Sequence, residues 1–412
     1  MGELVDARTA AQRLGVDVRT LYAYVSRGSL RRVPGPDGRS SRYDSDDLEL
    51  LAKRSRPRTL PRPAASIDLI IATRVSTVTD GVVRYRGVSV ADLVAAREPF
   101  ERVADLLWGG TAGDWEATGA QAPPCPDGLP VLHRFAIAVA ATAQGQEGAQ
   151  GQEGAQGQEG ERGERGAESQ EGARGEPAAW GAQAQPDWPA YGRRIIGCLA
   201  ICPGAGSRAK VDEAAPVATR LWERWSPLPP TPPRVRALNT ALVLLAEHEL
   251  ALSTLSVRVA ASARATPSAC ILAGLSTLGG ALHGGAAGAA HEWLARRAAG
   301  ERRGLPPRLV AFGHPVHRQG DPRTGPLLDD VYGLATAADR ELIESTARLA
   351  SAPPNIDFAL GALSYAARMP AEAATAIFAI ARTAGWIAHA AEEYGEPPLR
   401  FRGHALAGNR GR

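Results

Sequence analysis

Apolar residues recur at helical spacing through most of the chain. Spacing of three and four residues predicts a helix with one apolar face turned to a core. From residue 179 onward such segments follow one another, as in RVRALNTALVLLAEHELALSTLSVRVAASA and EAATAIFAIARTAGWIAHAAEEY. The alternation typical of half-buried strands is scarce there. We therefore expect a mainly α-helical body whose small side chains let the helices pack closely.

The first 54 residues show a different pattern. Helical spacing in DARTAAQRLG and VDVRTLYAYV, with a turn at Gly15 between them, predicts two short helices. RRVPGPDGRSSRYD then places turn residues between two short arms, which predicts a β-hairpin. SDDLELLAKR opens on Ser45, a favourable N-cap, and predicts a third helix.

Two segments carry no pattern of buried residues. The stretch KRSRPRTLPRP is basic and punctuated by proline, so residues 55–66 are expected to form a semi-rigid linker before a body spanning 67–412. Residues 144–177 repeat QGQEGA and are rich in Gly, Gln and Glu. Such a composition cannot bury enough apolar surface to fold, so we expect a disordered insert between two helices.

Composition places the chain among soluble globular proteins. Its 412 residues are enough for two or three domains. No apolar run reaches the ~20 residues of a membrane helix, and the charged start MGELVDARTAAQRLG is unlike a signal peptide. We therefore expect a cytoplasmic protein with no membrane contact. The basic excess lies in residues 1–63, with 13 Lys and Arg against 8 Asp and Glu.

Glycine and alanine surround a histidine in LGGALHGGAAGAAHEWL, residues 278–294. Three functions would explain this: a phosphate-binding loop, a metal site built on His283, His291 and Glu292, or a catalytic imidazole that a substrate approaches closely. A phosphate loop needs a lysine and a hydroxyl after its last glycine. A helical zinc site needs a second histidine four residues on, and the four cysteines are not spaced as zinc ligands. We therefore expect no metal site, and the catalytic histidine is favoured.

Other polar residues stand in apolar or Pro/Gly-rich surroundings. His248 and Glu249 interrupt an apolar segment predicted to be helical, and Arg382 interrupts another. AFGHPVHRQGDPR must be a loop, given its glycines and prolines. Asp357 follows a proline pair in PPNIDF.

The order and spacing of ALHGG, FGHPV, DPR and PNIDF resemble the citrate synthase family. GVVRYRGVSVADL and FERVADLLWGG match further stretches of that family, so the resemblance covers 67–402 apart from the insert. It implies a large helical domain and a small one, about 284–370, which closes over the substrate. It also implies that a homodimer with shared active sites condenses acetyl-CoA with oxaloacetate to citrate and CoA. Acetyl-CoA is then a substrate and no cofactor is needed. The alternative is a 2-methylcitrate synthase that uses propionyl-CoA.

The resemblance assigns roles to individual residues. The catalytic residues would be His283, His314 and Asp357. Oxaloacetate would be bound by His248, Arg323, Arg382 and Arg400, the last lent to the neighbouring subunit, and CoA would be contacted by Arg318. The chain departs from the family at Phe401, which replaces a usual proline, at Ala287 and Gly288, which replace polar residues, and at His317, which replaces an apolar or aromatic residue.

The first 54 residues resemble the winged helix-turn-helix of the excisionase and MerR-type family. In such modules the second helix enters the DNA major groove and the wing contacts the backbone or minor groove. The resemblance implies DNA contacts by Arg19, Thr20 and Tyr22 on the helix and by Arg31, Arg32, Arg39 and Arg42 on the wing. Because the basic excess is modest, a protein-docking module with solvated arginines is an alternative. A DNA-binding regulator with a citrate-synthase-like sensor body is a second function for the whole chain.

Overall fold

The computed structural model divides the chain into two compact units, residues 1–71 and 72–412. It describes residues 4–14, 18, 21–22, 25, 30–35, 40–45, 47–48, 69–79, 81–110, 112–113, 115, 123–126, 128–150, 185–202, 211–280, 283–301, 311–314, 316–317 and 319–403. The predicted linker 55–66 lies outside these residues.

The first unit contains a three-stranded antiparallel sheet. Its strands β1 (Leu4–Asp6), β2 (Val33–Pro34) and β3 (Ser41–Asp44) lie in the order β1-β3-β2, and helix α1 (Ala7–Leu14) follows β1 directly. β2 and β3 form the hairpin that the turn residues predict. Three residues are too few for alternation to show, so β1 is not foreseen by the sequence pattern.

The core of the first unit combines apolar residues that carry the helical spacing with residues of the sheet. The buried residues are Val5, Ala10, Ala11, Leu21, Leu30, Tyr43 and Leu48, with Ala7, Leu14, Val18 and Val25 packed partly against them. Tyr22 is an exception, because half of its side chain is exposed. Its ring is therefore available to a partner.

The second unit opens with a small sheet. Strands β4 (Ser76–Thr79), β5 (Val82–Tyr85) and β6 (Val88–Ser89) form an antiparallel meander. β5 and β6 lie within GVVRYRGVSV, and Tyr85 at the end of β5 is fully buried.

The other helices and strands described in this unit are all helices. They are α2 (Val90–Ala95), α3 (Phe100–Trp108), α4 (Val131–Gln150), α5 (Trp188–Ile201), α6 (Val217–Trp225), α7 (Pro232–Leu245), α8 (Leu252–Ser262), α9 (Pro267–Leu278), α10 (Ala286–Ala298), α11 (Thr324–Leu334), α12 (Ala337–Ala347), α13 (Ile356–Ala366) and α14 (Ala371–Tyr394). Among the described residues no helix combines the length and apolar character needed to span a bilayer. The mainly helical body is confirmed.

Helix α14 lies at the centre of the second unit. Nearly every residue from Ala373 to Ala390 is buried, and the helix packs against α3, α7, α8, α9, α10 and α13 among others. A helix that is apolar on all sides belongs inside a core. Two residues of this buried stretch have ionisable side chains, Arg382 and His389, and both are fully or almost fully buried.

The segment around His248 is not helical, contrary to the expectation from its apolar pattern. α7 ends at Leu245 and α8 begins at Leu252. The released backbone groups find other partners, because the Tyr85 hydroxyl donates to the Glu247 carbonyl at 2.8 Å and Gly385 N–H donates to the Ala246 carbonyl at 3.1 Å. These long-range bonds outweigh the local preference for a continuous helix.

Helix α4 extends into the glycine- and glutamine-rich insert. It ends at Gln150, so residues 144–150 are helical where we expected disorder, and residues 151–177 lie outside the described part of the chain. A helix already nucleated by the buried residues Val131, Phe135 and Val139 adds further turns at little cost.

Close packing accounts for the small residues beside His283. A Cβ on Gly284 would lie 2.3 Å from the Leu278 carbonyl oxygen, because the chain folds back on the end of α9. A Cβ on Gly361 of α13 would lie 2.7 Å from the Ala287 carbonyl oxygen of α10. Glycine and alanine here let two helices approach closely, in addition to any space they leave for a substrate.

Candidate active site

A cleft of about 300 Å³ brings together six of the predicted site residues. It is lined by His248, His283, His314, Arg323, Asp357 and Arg382, and its apolar lining includes Leu250, Leu252, Val316, Ile356 and Phe378. These residues come from three helices and three connecting segments. Two guanidinium groups, three imidazoles and two carboxyl groups, those of Asp357 and Glu249, therefore share one cleft.

His283 lies in the turn between α9 and α10, held by a bond from its N–H to the Gly280 carbonyl. Its Nε2 is 2.9 Å from the Ser253 hydroxyl. When that hydroxyl donates, the ring proton lies on Nδ1, which leaves an N–H donor for a ligand. Burial, followed by the nearby Arg382 charge, lowers the pKa of His283, so the ring is a neutral donor at neutral pH.

His314 lies in the loop after Gly313, with its protonation pattern set by the backbone. Its Nδ1 accepts the N–H groups of Val316 at 3.1 Å and His317 at 3.3 Å. The proton of the neutral ring is therefore on Nε2. Burial, reinforced by Arg323, lowers the pKa of His314 to about 4, so it too is a neutral donor.

Asp357 lies in the first turn of α13, and Asn355 caps this helix. The Asn355 Oδ1 accepts the N–H of Asp357 at 3.0 Å and of Phe358 at 3.4 Å. Burial raises the pKa of Asp357 to about 6, although Arg323 and Arg382 oppose the shift. A carboxylate whose pKa lies this close to neutrality is suited to act as a general base.

The raised pKa of Asp357 predicts the acid side of the pH profile. A base works only when deprotonated, so kcat/KM should fall about tenfold per pH unit below about pH 6. His314 should not contribute to this fall, because it stays neutral down to about pH 4. The measurement is kcat/KM between pH 4.5 and 8 at constant ionic strength. A profile that stays flat down to pH 5 would contradict the assignment.

Arg323 is oriented by a carboxylate that the site predictions did not include. Its Nε and Nη2 donate to the two oxygens of Asp321 at 2.9 and 2.7 Å. Asp321 Oδ2 also accepts the N–H of Ile356 at 3.2 Å, which ties the arginine to the start of α13. Arg382 is fixed separately, since its Nε donates to the Leu245 carbonyl at 2.9 Å and its guanidinium lies over the Phe378 ring.

Asn355 connects the His314 loop to the Asp357 helix. Its Nδ2 donates to the Gly313 carbonyl at 2.9 Å while its Oδ1 caps α13. Asn355→Ala should cost about 1 kcal/mol of folding free energy through the lost cap. It should also lower kcat, because two site residues lose their common support. Melting temperature and kcat test this.

Thr336 offers a matched control for that experiment. It caps α12 through a capping box with Asp339, and α12 contributes no residue to the cleft lining. Thr336→Ala should therefore lower the melting temperature and leave kcat unchanged. Equal losses of kcat in both variants would show that Asn355 has no special role.

Three imidazoles lie close enough to raise the question of a metal ion. One ring nitrogen from each of His248, His314 and His317 lies within 4.8 Å of the others. His314 Nδ1 already accepts two backbone N–H groups, and Nε2 of His248 and of His317 are bonded at 3.0 Å. A metal needs a lone pair from each ring aimed at one point, and these bonds already occupy one nitrogen of each ring. The absence of a metal site stays a prediction.

The citrate synthase C-terminal domain model matches residues 69–402. The chain belongs to the citrate synthase family. Its fold resembles citrate synthases from Pyrobaculum aerophilum (TM-score 0.63, 20% identity, covering 84% of this chain and 91% of that one) and Thermotoga maritima (TM-score 0.57, 19% identity, covering 84% and 95%). It also resembles the Thermoplasma acidophilum citrate synthase in ternary complex with carboxymethyl coenzyme A and oxaloacetate (TM-score 0.58, 22% identity, covering 84% and 95%). The chain is an enzyme of this family.

Two residues that the citrate synthase resemblance assigns need separate comment, because one lies away from the cleft lining and the other is not described. Arg400 lies beyond α14, where it forms a bidentate pair with Glu393 at 2.5 and 2.6 Å. Arg318 lies outside the described residues. Of the residues predicted to contact DNA, Arg19, Thr20 and Arg39 also lie outside them, while Arg42 lies on β3 with its guanidinium 3.5 Å from the Leu4 carbonyl.

Three supporting residues of this citrate synthase family site were not predicted. Ser253 contacts His283, Asp321 orients Arg323, and Asn355 joins two site segments. The Asp-Pro-Arg and Asn-Ile-Asp spacings were signals for the last two, because Asp and Asn favour turns and caps. Nothing distinguishes Ser253 from the other hydroxyl residues of LSTLS.

Proposed function

We propose that the protein condenses acetyl-CoA with oxaloacetate to give citrate and CoA. The observation that carries this proposal is the convergence of Asp357, His283 and His314 on one cleft that also contains Arg323 and Arg382. Arginines with planar forks suit the two carboxylates of oxaloacetate. The family membership supports the same chemistry.

The protonation states on the cleft wall fit each step. Asp357 takes a proton from the methyl group of the thioester, and the His283 N–H donates to the enolate oxygen as charge develops there. The enolate carbon attacks the ketone carbon of oxaloacetate, and its C=O π bond breaks to an alkoxide that accepts a hydrogen bond from His314 Nε2–H. The alkoxide takes its proton through His314, solvent restores that ring proton, and Asp357 returns the methyl proton to solvent, so the protons balance. Water then hydrolyses the citryl thioester and releases CoA. These steps use acid–base groups alone and need no cofactor.

The thioester end of the substrate has fewer assigned contacts. By family resemblance Arg318 contacts CoA, and His314 and Val316, which precede it closely in sequence, line the cleft. Guanidinium groups bind phosphate oxygens bidentately. We accordingly assign Arg318 to the CoA phosphates.

The assay is release of CoA thiol from acetyl-CoA with and without oxaloacetate. Release that depends on oxaloacetate supports the proposal, and release that is equal without it would contradict the proposal. Propionyl-CoA is run in parallel, because a much higher kcat/KM with it would identify a 2-methylcitrate synthase.

We assign the active form to a homodimer. Leu252 and Val259, 65% and 44% exposed, lie seven residues apart on one face of α8. Exposed apolar residues in helical register are typical of a contact surface. In such a dimer, Arg400 would break its ion pair with Glu393 and bind substrate in the neighbouring subunit's site. Light scattering after size-exclusion chromatography tests the assembly, and a monomer with full activity would contradict it.

We assign the first unit to a winged helix-turn-helix that contacts DNA in the cytoplasm. Support comes from its β2–β3 hairpin, the exposed Tyr22 and the basic excess of residues 1–63. The full-length protein should retard the migration of duplex DNA through a gel at low salt, and this retardation should disappear as the salt concentration rises. No retardation at low salt would contradict this role. A response of retardation to oxaloacetate or citrate would favour the regulator function over an enzyme alone.

A further inference from the structure

His317 and His248 form a buried pair beside the cleft. Their Nε2 atoms are 3.0 Å apart, and each residue is less than a tenth exposed. The ring centroids are 5.0 Å apart with the planes 27° from parallel. A hydrogen bond between two neutral imidazoles carries one proton, so one ring donates and the other accepts. The bond therefore decides which nitrogen of His248 is protonated.

Both rings of the pair are neutral near pH 7. Burial, followed by the charges of Arg323 and Arg382, lowers the pKa of His248 well below its usual value. Burial also lowers the pKa of His317, although Asp321 opposes this. The positive charges of the two adjacent guanidinium groups thus disfavour a further positive charge on either imidazole of the pair.

The other nitrogen of His248 indicates the direction of the bond. His248 lines the cleft, and its Nδ1 is buried with no hydrogen-bond partner among the described residues. A buried polar atom is unfavourable without a partner, and on a cleft residue a ligand can supply one. An anionic ligand accepts hydrogen bonds, so Nδ1 is useful to it only as an N–H donor.

We propose that His317 is a positioning residue whose Nε2–H donates to His248 Nε2, keeping the His248 proton on Nδ1 for donation to a carboxylate oxygen of oxaloacetate. The oxaloacetate part of this inference rests on the proposed function. His314 is held in a parallel way, because two backbone N–H groups occupy its Nδ1 and leave Nε2–H as the donor. The site thus presents neutral donors between two guanidinium groups.

The protonation of His248 is measured directly by nitrogen NMR of the full-length protein labelled at its eight histidines. His248→Gln identifies the His248 signals. We expect Nδ1 to be protonated and Nε2 to be unprotonated in the wild type without substrate. A His248 protonated on Nε2 would overturn the proposal. Apart from the His248→Gln assignment spectrum, this result needs no variant, and it does not depend on any catalytic activity.

Variants of His317 then separate positioning from simple packing. His317→Phe removes the donor, and the KM for oxaloacetate should rise about tenfold while kcat changes by less than about threefold. His317→Gln supplies an amide N–H and should recover most of the affinity and the wild-type His248 spectrum. Equal KM in the wild type and His317→Phe, or an unchanged His248 spectrum, would overturn the proposal.

His291→Gln is the matched control. His291 is likewise bonded through one ring nitrogen, to the Ser364 hydroxyl at 2.9 Å, but it does not line the cleft. Its replacement should leave the His248 spectrum and the KM unchanged. If the wild type releases no CoA, the proposed function fails, whereas the wild-type NMR spectrum still decides the direction of the His317–His248 bond.

Discussion

Asp357→Asn should lower kcat for CoA release by about 10³-fold, the usual contribution of a positioned general base. The amide has nearly the same shape and keeps the α13 cap contacts, which involve the backbone N–H of Asp357. Oxaloacetate binding depends on other groups, so its KM should change little. Steady-state rates with acetyl-CoA at saturating oxaloacetate measure the effect, and retention of more than a tenth of the wild-type kcat would exclude Asp357 as the base.

Asp329→Asn is the control for this substitution. Asp329 is an exposed carboxylate on α11 and does not line the cleft. Asp329→Asn makes the same chemical change as Asp357→Asn, but at a position that does not contact the reacting groups. Its kcat should equal that of the wild type, and a comparable loss in both variants would point to an indirect effect of charge.

Arg323→Gln should raise the KM for oxaloacetate by about 10²-fold, because it removes a buried guanidinium that would bind a carboxylate of oxaloacetate. It should also lower the free energy of unfolding by about 3 kcal/mol. Asp321 is then left as a buried carboxylate without a cationic partner, bonded only to the backbone N–H groups of residue 323 at 3.1 Å and of Ile356 at 3.2 Å among the described residues. Chemical denaturation and oxaloacetate titration measure the two effects separately.

The double variant Asp321→Asn/Arg323→Gln distinguishes binding from stability. Removing the unpaired carboxylate should restore most of the lost free energy of unfolding. It should not restore oxaloacetate affinity, since no guanidinium returns to the cleft. Recovery of both quantities together would show that Arg323 acts only through its ion pair with Asp321.

The sequence predicted which residues lie together better than it predicted the local structure around them. Family spacing identified His248, His283, His314 and Asp357, and the fold places all four at one cleft. These motifs contain residues that come together in the folded chain. They therefore identify residues of the cleft even where the secondary structure between the motifs is predicted wrongly. The helical body was also predictable, because each helix buries apolar residues at a regular spacing that the sequence shows directly.

Tertiary contacts account for what the pattern did not predict. The break between α7 and α8 depends on Tyr85, which is 162 residues before Glu247 in the chain. Asp321 and Ser253 act through bonds to other side chains, and their partners are identifiable only when the fold is known. Local propensity contains no information about such long-range partners.

The most direct test of the account is mass spectrometry of the product formed from acetyl-CoA labelled with ¹³C in its methyl group, together with unlabelled oxaloacetate. We expect citrate carrying the label in the wild type and a product level reduced by about 10³-fold in Asp357→Asn. Release of labelled acetate with no labelled citrate would mean that the protein hydrolyses the thioester without condensation, which would contradict the assigned chemistry.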